Sequence, residues 1–338
     1  MVATVVRGKV FHLRPKSPLH LGEHGIGLEE TAEFAHSDTL FGALCFAWAE
    51  AYGPGALTEL LGQFLAGRPP FVISSAFPRL GQVRLLPRPL LPLPVGEGAA
   101  EGLKDVRWIS EGLFRRWLAG EELTAEVRPE TVRGHVWLSA PEAARLPQVR
   151  GDSWWDVVLR PRVALDRITS ASNLYYVGEV RFAPECGLFC LVLARDEATY
   201  DQVQAALQVL GEMGLGGERS LGFGCFAVED AGFFEIPTGN GRFATLSLYH
   251  PTAAELEVGV LGANAAYRLV MRSGWIASAG WPGRRRKWVR MLTEGSVLTG
   301  DATRFYGDLA DVTPDDRPPG SHPVYRYGYA FPFGVNLG

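Results

Sequence analysis

Gly214-Leu215-Gly216-Gly217-Glu218-Arg219-Ser220-Leu221-Gly222-Phe223-Gly224 separates a helical stretch from a strand-like one. Five glycines in eleven residues permit positive φ angles and close approach of another backbone. A loop of this kind offers amide donors to phosphate, and Arg219 and Ser220 add side-chain donors. No Gly-Lys-Ser/Thr follows, so this is not a Walker-type phosphate loop. The order helix, loop, strand is the reverse of a dinucleotide-binding turn. A tight helix-to-strand connection accounts for the same glycines, and composition alone does not separate the two readings.

The surroundings of the loop set the fold class. Before it, Glu197–Met213 is helical by period, with Val203, Leu207 and Leu210 on one face. Gly187–Ala194 is an apolar strand, and Phe226–Val228 opens another beyond the loop. Val157–Leu165 and Leu174–Phe182 read as strands flanking Asp166–Ser170. Near the N-terminus, Val5–Arg14 reads as a strand. Leu40, Phe41, Leu44, Ala47 and Trp48 recur at helical spacing after Ser37 or Asp38, either of which suits an N-cap. A second helix over Leu57–Leu65 and a strand over Phe71–Phe77 complete the unit. Residues 78–155 carry Pro87, Pro89, Pro92 and Pro94 and read as an insertion, with a helix over Lys104–Leu118 and a strand over Thr131–Leu138.

Residues 1–235 therefore read β-α-β, insertion, β-α-β, a ferredoxin-like (RRM-like) split unit. Phe233–Arg242 reads as a linker. Residues 240–338 carry shorter elements: strands over Ala244–Tyr249, Ala265–Met271, Lys287–Leu292 and Val324–Phe331, and a short helix from Ala253. The expected fold is α+β, with two ferredoxin-like domains, the second degraded.

Several segments together resemble the RAMP superfamily, the RNA-binding subunits of CRISPR systems. The form G-x-G-G-x-R-S-x-G-x-G between helix and strand resembles its diagnostic loop. His36-Ser37-Asp38-Thr39-Leu40-Phe41-Gly42-Ala43-Leu44 is similar to the first-helix motif of the fourth subunit of the type III-A (Csm) complex. Ser74-Ser75-Ala76-Phe77-Pro78 resembles that family's second strand, and Pro323–Phe331 its C-terminal strand. The paralogous type III-B subunit is a near alternative. The resemblance implies a non-catalytic subunit that grips the 5′ tag of the crRNA. It also implies contact with the large polymerase-like subunit and docking on the first backbone subunit. Gly216, Gly217, Arg219, Ser220 and Gly222 are the first RNA contacts it suggests, with His36 and Ser37 beside them. Pro161–Ser170 is similar to the hairpin, or thumb, pushed between tag and guide, which sets Arg162 and Arg167 against phosphates. At Gly217 the expected constraint is positive φ, with the backbone close to RNA.

Charge and chemistry restrict the alternatives. The net charge of −4 argues against coating nucleic acid non-specifically, while leaving room for a local basic groove. Arg supplies the positive charge, with Lys only at 9, 16, 104 and 287; Arg forks onto phosphate and stacks on bases. Arg284-Arg285-Arg286-Lys287, with Trp281 and Trp288, is the densest basic run and suits RNA, a partner or a solvated edge. Trp275, Trp281, Trp288 and the Tyr-rich C-terminus read as sticky surface. The alternation of Tyr325, Tyr327, Tyr329 and Phe331 fits one buried face of a strand or a stacking face for bases. Among the histidines, His20, His24 and His36 are the candidates for acid-base work on RNA, which defines the rival reading, a precursor-RNA endoribonuclease. No catalytic pair, metal cluster or cofactor motif stands out, and the four cysteines suit reduced core thiols. No apolar run is long enough for a membrane, so a cytoplasmic protein is expected.

Overall fold

The computed structural model describes residues 6–22, 28–148, 153–165, 172–278, 280–281 and 283–336. In chain order the first part comprises β1 (Val6–Pro15), α1 (Ser37–Tyr52), α2 (Pro54–Leu65), β2 (Phe71–Ile73), β3 (Phe77–Leu80) and β4 (Val83–Pro87). It continues through α3 (Glu97–Ala100), β5 (Trp108–Ser110), α4 (Glu111–Leu118), β6 (Val132–Arg133), β7 (Val136–Trp137) and α5 (Ala140–Ala143). It closes with β8 (Trp155–Leu165), β9 (Ser172–Phe182), β10 (Cys186–Ala194), α6 (Glu197–Met213) and β11 (Phe226–Ile236). The second part holds β12 (Arg242–Thr245), α7 (Ala253–Glu257), β13 (Leu269–Arg272), β14 (Val289–Leu292), β15 (Val297–Thr299), β16 (Leu309–Asp311), β17 (Tyr325–Tyr327) and β18 (Pro332–Gly334).

The large mixed sheet runs β11-β1-β10-β3-β4-β5-β7-β6, with β2 also on β10. At its centre β1 lies antiparallel to β10 and to β11, and β10 antiparallel to β2 and β3. β10 is buried on both faces, which explains its unbroken apolar sequence. α1 and α6 pack together beside this centre. α1 presents Leu40, Phe41, Leu44, Ala47 and Trp48 to the core. α6 starts where the Asp196 carboxylate accepts from Thr199 N at 2.8 Å, a conventional N-cap.

The insertion departs from its expected form. Its strands extend the sheet outward from β3. The helix starts only at Glu111, because Trp108-Ile109-Ser110 pairs with β4. The strand over 131–138 is two short arms turning at Gly134, whose φ is 57°. The segment 71–77 likewise divides into β2 and β3. The expected linker also begins too early, since Phe233–Ile236 is the end of β11, paired with β1.

The second part shares the core of the first. Tyr327 stacks on Phe41 with ring centroids 4.6 Å apart, and its hydroxyl accepts from Ile73 N at 3.0 Å. The Tyr329 hydroxyl donates to Phe64 O at 2.5 Å. These tyrosines and Phe331 are buried, so the tyrosine alternation is core packing rather than a stacking face for bases. Of the expected strand over 324–331 only Tyr325–Tyr327 is β17; β18 begins beyond it at Pro332, on a separate small sheet.

Candidate nucleic-acid interface

The glycine-rich loop is shaped by its own protein neighbours. Gly214 ends α6 at φ 86°, and Leu215 N donates to Gly224 O at 3.0 Å, closing the loop base. Gly217 N donates to His20 O at 2.9 Å, and Gly224 N to Pro18 O at 2.8 Å. Gly216 sits at φ 97°, and a Cβ there would lie 2.3 Å from His20 O. Gly217 is not among the positive-φ glycines. A Cβ at Gly217 would meet His20 Cδ2 at 2.8 Å, so within the chain its constraint is the buried imidazole rather than φ. Beyond it, Glu218 adopts the left-handed conformation and Arg219–Leu221 form one 3₁₀ turn ended by Gly222 at φ 81°. Arg219, Ser220, Leu221 and Gly222 are exposed. The inner glycines thus fasten the loop, and its tip meets solvent.

Beside the tip lies a groove of about 290 Å³. Gly216, Gly217 and Arg219 line one side, His36 and Phe46 another, and Arg272, Trp275, Arg286 and Arg326 come from the second part of the chain. At the floor, Asp38 is buried and grips two of these arginines. Arg272 Nε donates to Asp38 Oδ2 at 2.9 Å and Nη2 to Oδ1 at 3.0 Å, a bidentate fork. Arg326 Nη1 donates to the same carboxylate, and its Nη2 to Ser273 O at 2.6 Å. Burial opposes the Asp38 charge, but Arg272 and Arg326 outweigh it and hold the carboxyl well below the usual range. The expected capping role of Asp38 is therefore replaced by an ion-pair role: α1 has no side-chain cap, and its first turn is tied to the second part of the chain.

Other anticipated contacts fall elsewhere. Ser37 is fully buried: its N donates to Ser75 Oγ at 2.8 Å, and its Oγ accepts from Leu248 N at 3.0 Å. It fastens the core and is closed to RNA. His36 lines the groove, with Nδ1 2.8 Å from the buried Glu294. His20 is buried, with Nδ1 2.8 Å from Gly178 O. His24 and Arg167 lie outside the described residues. Arg162, on β8, has its guanidinium 5.5 Å from the centroid of the loop's Phe223 ring. The basic run is divided: Arg284 pairs with Asp316 and Lys287 with Asp315, Arg285 stacks on Trp275 at 4.9 Å, and Arg286 turns into the groove. Trp275 and Trp288 are half-exposed as expected, whereas Trp281 is fully buried and donates to His322 O at 3.0 Å. Among the described residues, no cluster of His, Cys, Asp or Glu suits a metal, and no helix is long and apolar enough to cross a membrane.

Arg272 and Arg326 are the groove residues that the sequence reading missed. A signal was present for one of them: Arg326 interrupts a run of aromatics whose neighbours are all apolar, and a charge in such a strand needs a buried partner.

The chain matches known protein families on both sides of the β11–β12 connection. The RAMP superfamily matches residues 12–227, which places the loop and α1 within that class of fold. The CRISPR Csm4 C-terminal domain matches residues 238–335. Csm4 of Thermococcus onnurineus (strain NA1) is 31% identical over 313 residues, covering 90% of this chain and 93% of that protein. Csm4 of Mycobacterium tuberculosis (strain H37Rv) is 30% identical over 317 residues, covering 91% of each. The chain belongs to the Csm4 family. In fold it is similar to a chain of the Csm3-Csm4 subcomplex of the type III-A interference complex, with a TM-score of 0.62, 18% identity and coverage of 94% and 98%. It is also similar to a chain of the Csm1-Csm4 cassette crystallised with pppApA, with a TM-score of 0.57, 23% identity and coverage of 98% and 99%.

Proposed function

We propose that this chain is a non-catalytic subunit of a type III-A CRISPR ribonucleoprotein, and that its groove holds the 5′ tag of the crRNA. The observation that carries the reading is the charge of the groove: Arg219, Arg272, Arg286 and Arg326 line it from positions spread over more than a hundred residues, with Asp38 as the one carboxylate among its lining residues. Single-stranded RNA is held by such phosphate contacts together with aromatic or Arg stacking. Exposed Arg219 supplies a donor at the mouth, and Phe46 and Trp275 supply rings at the rim.

The β8–β9 hairpin is the thumb in this reading. Val157, Leu159, Val163, Leu174 and Tyr176 are exposed along it, a surface suited to meeting bases or a partner. Membership of the family, and likeness to chains seen in Csm1-Csm4 and Csm3-Csm4 complexes, supports docking on the large polymerase-like subunit and on the first backbone subunit, in the cytoplasm. Residues 1–235 and 240–338 are two ferredoxin-like units in this account. The central order β11-β1-β10-β2/β3, with α1 and α6 as crossovers, supports the first.

Catalysis by a histidine has little room: His20 is buried against a carbonyl and His36 is engaged by Glu294. Labelled repeat RNA incubated with the pure protein should stay intact. Metal-independent cleavage abolished by His20→Ala, His24→Ala or His36→Ala would replace this reading with the endoribonuclease. Photocrosslinking of thiouridine-substituted tag RNA tests the groove, with crosslinked peptides expected from 36–46 and 216–222 or 272–286. Crosslinks confined to other surfaces would refute it.

A further inference from the structure

The groove floor carries more positive charge than the fold uses. Asp38 holds Arg272 by a two-bonded fork and Arg326 through Nη1, whose other arm donates to Ser273 O. Arg286 stands beside them with no hydrogen bond or ion pair from its side chain among the described residues. Its Nε is buried without a partner, and so is that of Arg326, itself only 4% exposed. Burial, then Arg326 and Arg272, lower the Arg286 pKa to about 10, against the pull of Asp38. The guanidinium is therefore still charged at neutral pH. A partly buried cation facing two like charges and lacking a partner of its own opposes folding. It lines the groove together with Trp275 and Arg326.

We propose that Arg286 is the seat for one backbone phosphate of single-stranded RNA, a phosphodiester held by the Arg286 fork and drawn in by the field of Arg272 and Arg326. The proposal rests on the reading of the groove as an RNA site. In this arrangement Asp38 is a positioning residue: with Ser273 O it occupies the donors of Arg272 and Arg326, so that they contribute charge while Arg286 makes the contact. A diester carries one negative charge and compensates the guanidinium that the described residues leave unpaired.

The test uses the full chain with Arg286→Gln, measured in two ways. Melting without RNA reports what the arginine does for the fold. Binding of a short tag-sequence RNA across a salt series, with inorganic phosphate as competitor, reports what it does for the ligand. The expected variant melts no lower than the parent, because a like charge has been removed from a crowded floor. It binds the RNA roughly tenfold or more weakly, the scale of one charge-assisted contact. Its salt dependence is shallower by about one unit of slope, and inorganic phosphate competes less well than against the parent. A lower melting temperature with unchanged RNA affinity would overturn the proposal, since Arg286 would then serve the fold. Failure of the variant to fold would overturn it too, because a side chain without partners among the described residues should be dispensable. If Arg219→Ala weakens binding while Arg286→Gln does not, the phosphate seat is wrong and the groove reading stands. If neither variant weakens binding, both are wrong.

Discussion

Two basic regions of this molecule make opposite use of arginine. The run Arg284–Lys287 is the densest positive stretch of the sequence, yet three of its four charges are answered locally, by Asp316, by Asp315 and by the Trp275 ring. The groove draws its charge from positions 219, 272, 286 and 326, spread over more than a hundred residues, and holds one carboxylate among them. Density along the chain therefore says little about field in space. What counts is whether neighbouring acids neutralise the cations, and the fold decides that. Arg286 belongs to the run by sequence and to the groove by position.

The comparison can be broken most forcefully at Asp38. Asp38→Ala leaves Arg272 and Arg326 buried without their counter-charge and should cost about 3–5 kcal/mol of stability, read by denaturant or thermal melting. A change of a few tenths would mean that the floor arginines are solvated, and the contrast with the surface run would collapse. Gly216→Ala should come next. It places a Cβ 2.3 Å from His20 O at a φ of 97°, a strain of about 1–3 kcal/mol, and the melt should show it. A neutral outcome would mean that the loop is not fastened to the segment around His20.

A third cluster sharpens the contrast, because it gathers cations around a group able to discharge. His12 is buried, its Nε2 has no partner, and burial followed by Arg79, Arg84 and Arg14 pushes its pKa down from 6.5 to about 4. The unfolded chain then binds a proton that the folded one refuses between those values. Stability from this group is complete above about pH 6.5 and is lost as pH falls toward 4, by at most about 1.4 kcal/mol per unit. Denaturant melts across that window should show the slope, and His12→Gln should remove that part of it. The smallest effect belongs to the surface run: Arg284→Ala breaks an exposed pair with Asp316 and should shift stability by less than about 0.5 kcal/mol.

The helices and central strands were legible because their periods are strong. Glu197–Met213 has its expected bounds, ending at Gly214, and the structure adds Asp196 as its N-cap. Boundaries failed where pairing overrode local pattern, as at Trp108–Ser110, which continues the sheet instead of starting a helix. The loop was legible as a feature, while the reason for its glycines was not: only the fold brings His20 beneath Gly216 and Gly217. Ser37 and Asp38 carried the right motif with the wrong tasks, because their partners Leu248, Arg272 and Arg326 lie more than two hundred residues away. No local rule reaches that distance.

Tag-RNA binding by Arg219→Ala and Arg284→Ala, measured side by side across a salt series with melts of both proteins, tests the central claim most directly. Arg219 is exposed at the mouth of the groove and pairs with no carboxylate among the described residues, while Arg284 is answered by Asp316. The account predicts that Arg219→Ala weakens binding by about 1–3 kcal/mol and flattens the salt dependence by about one unit of slope, without lowering the melting temperature. Arg284→Ala should leave affinity and slope near those of the parent. Unchanged affinity for Arg219→Ala at every salt concentration, or an equal loss for Arg284→Ala, would contradict the claim that the groove beside the glycine-rich loop is the RNA grip.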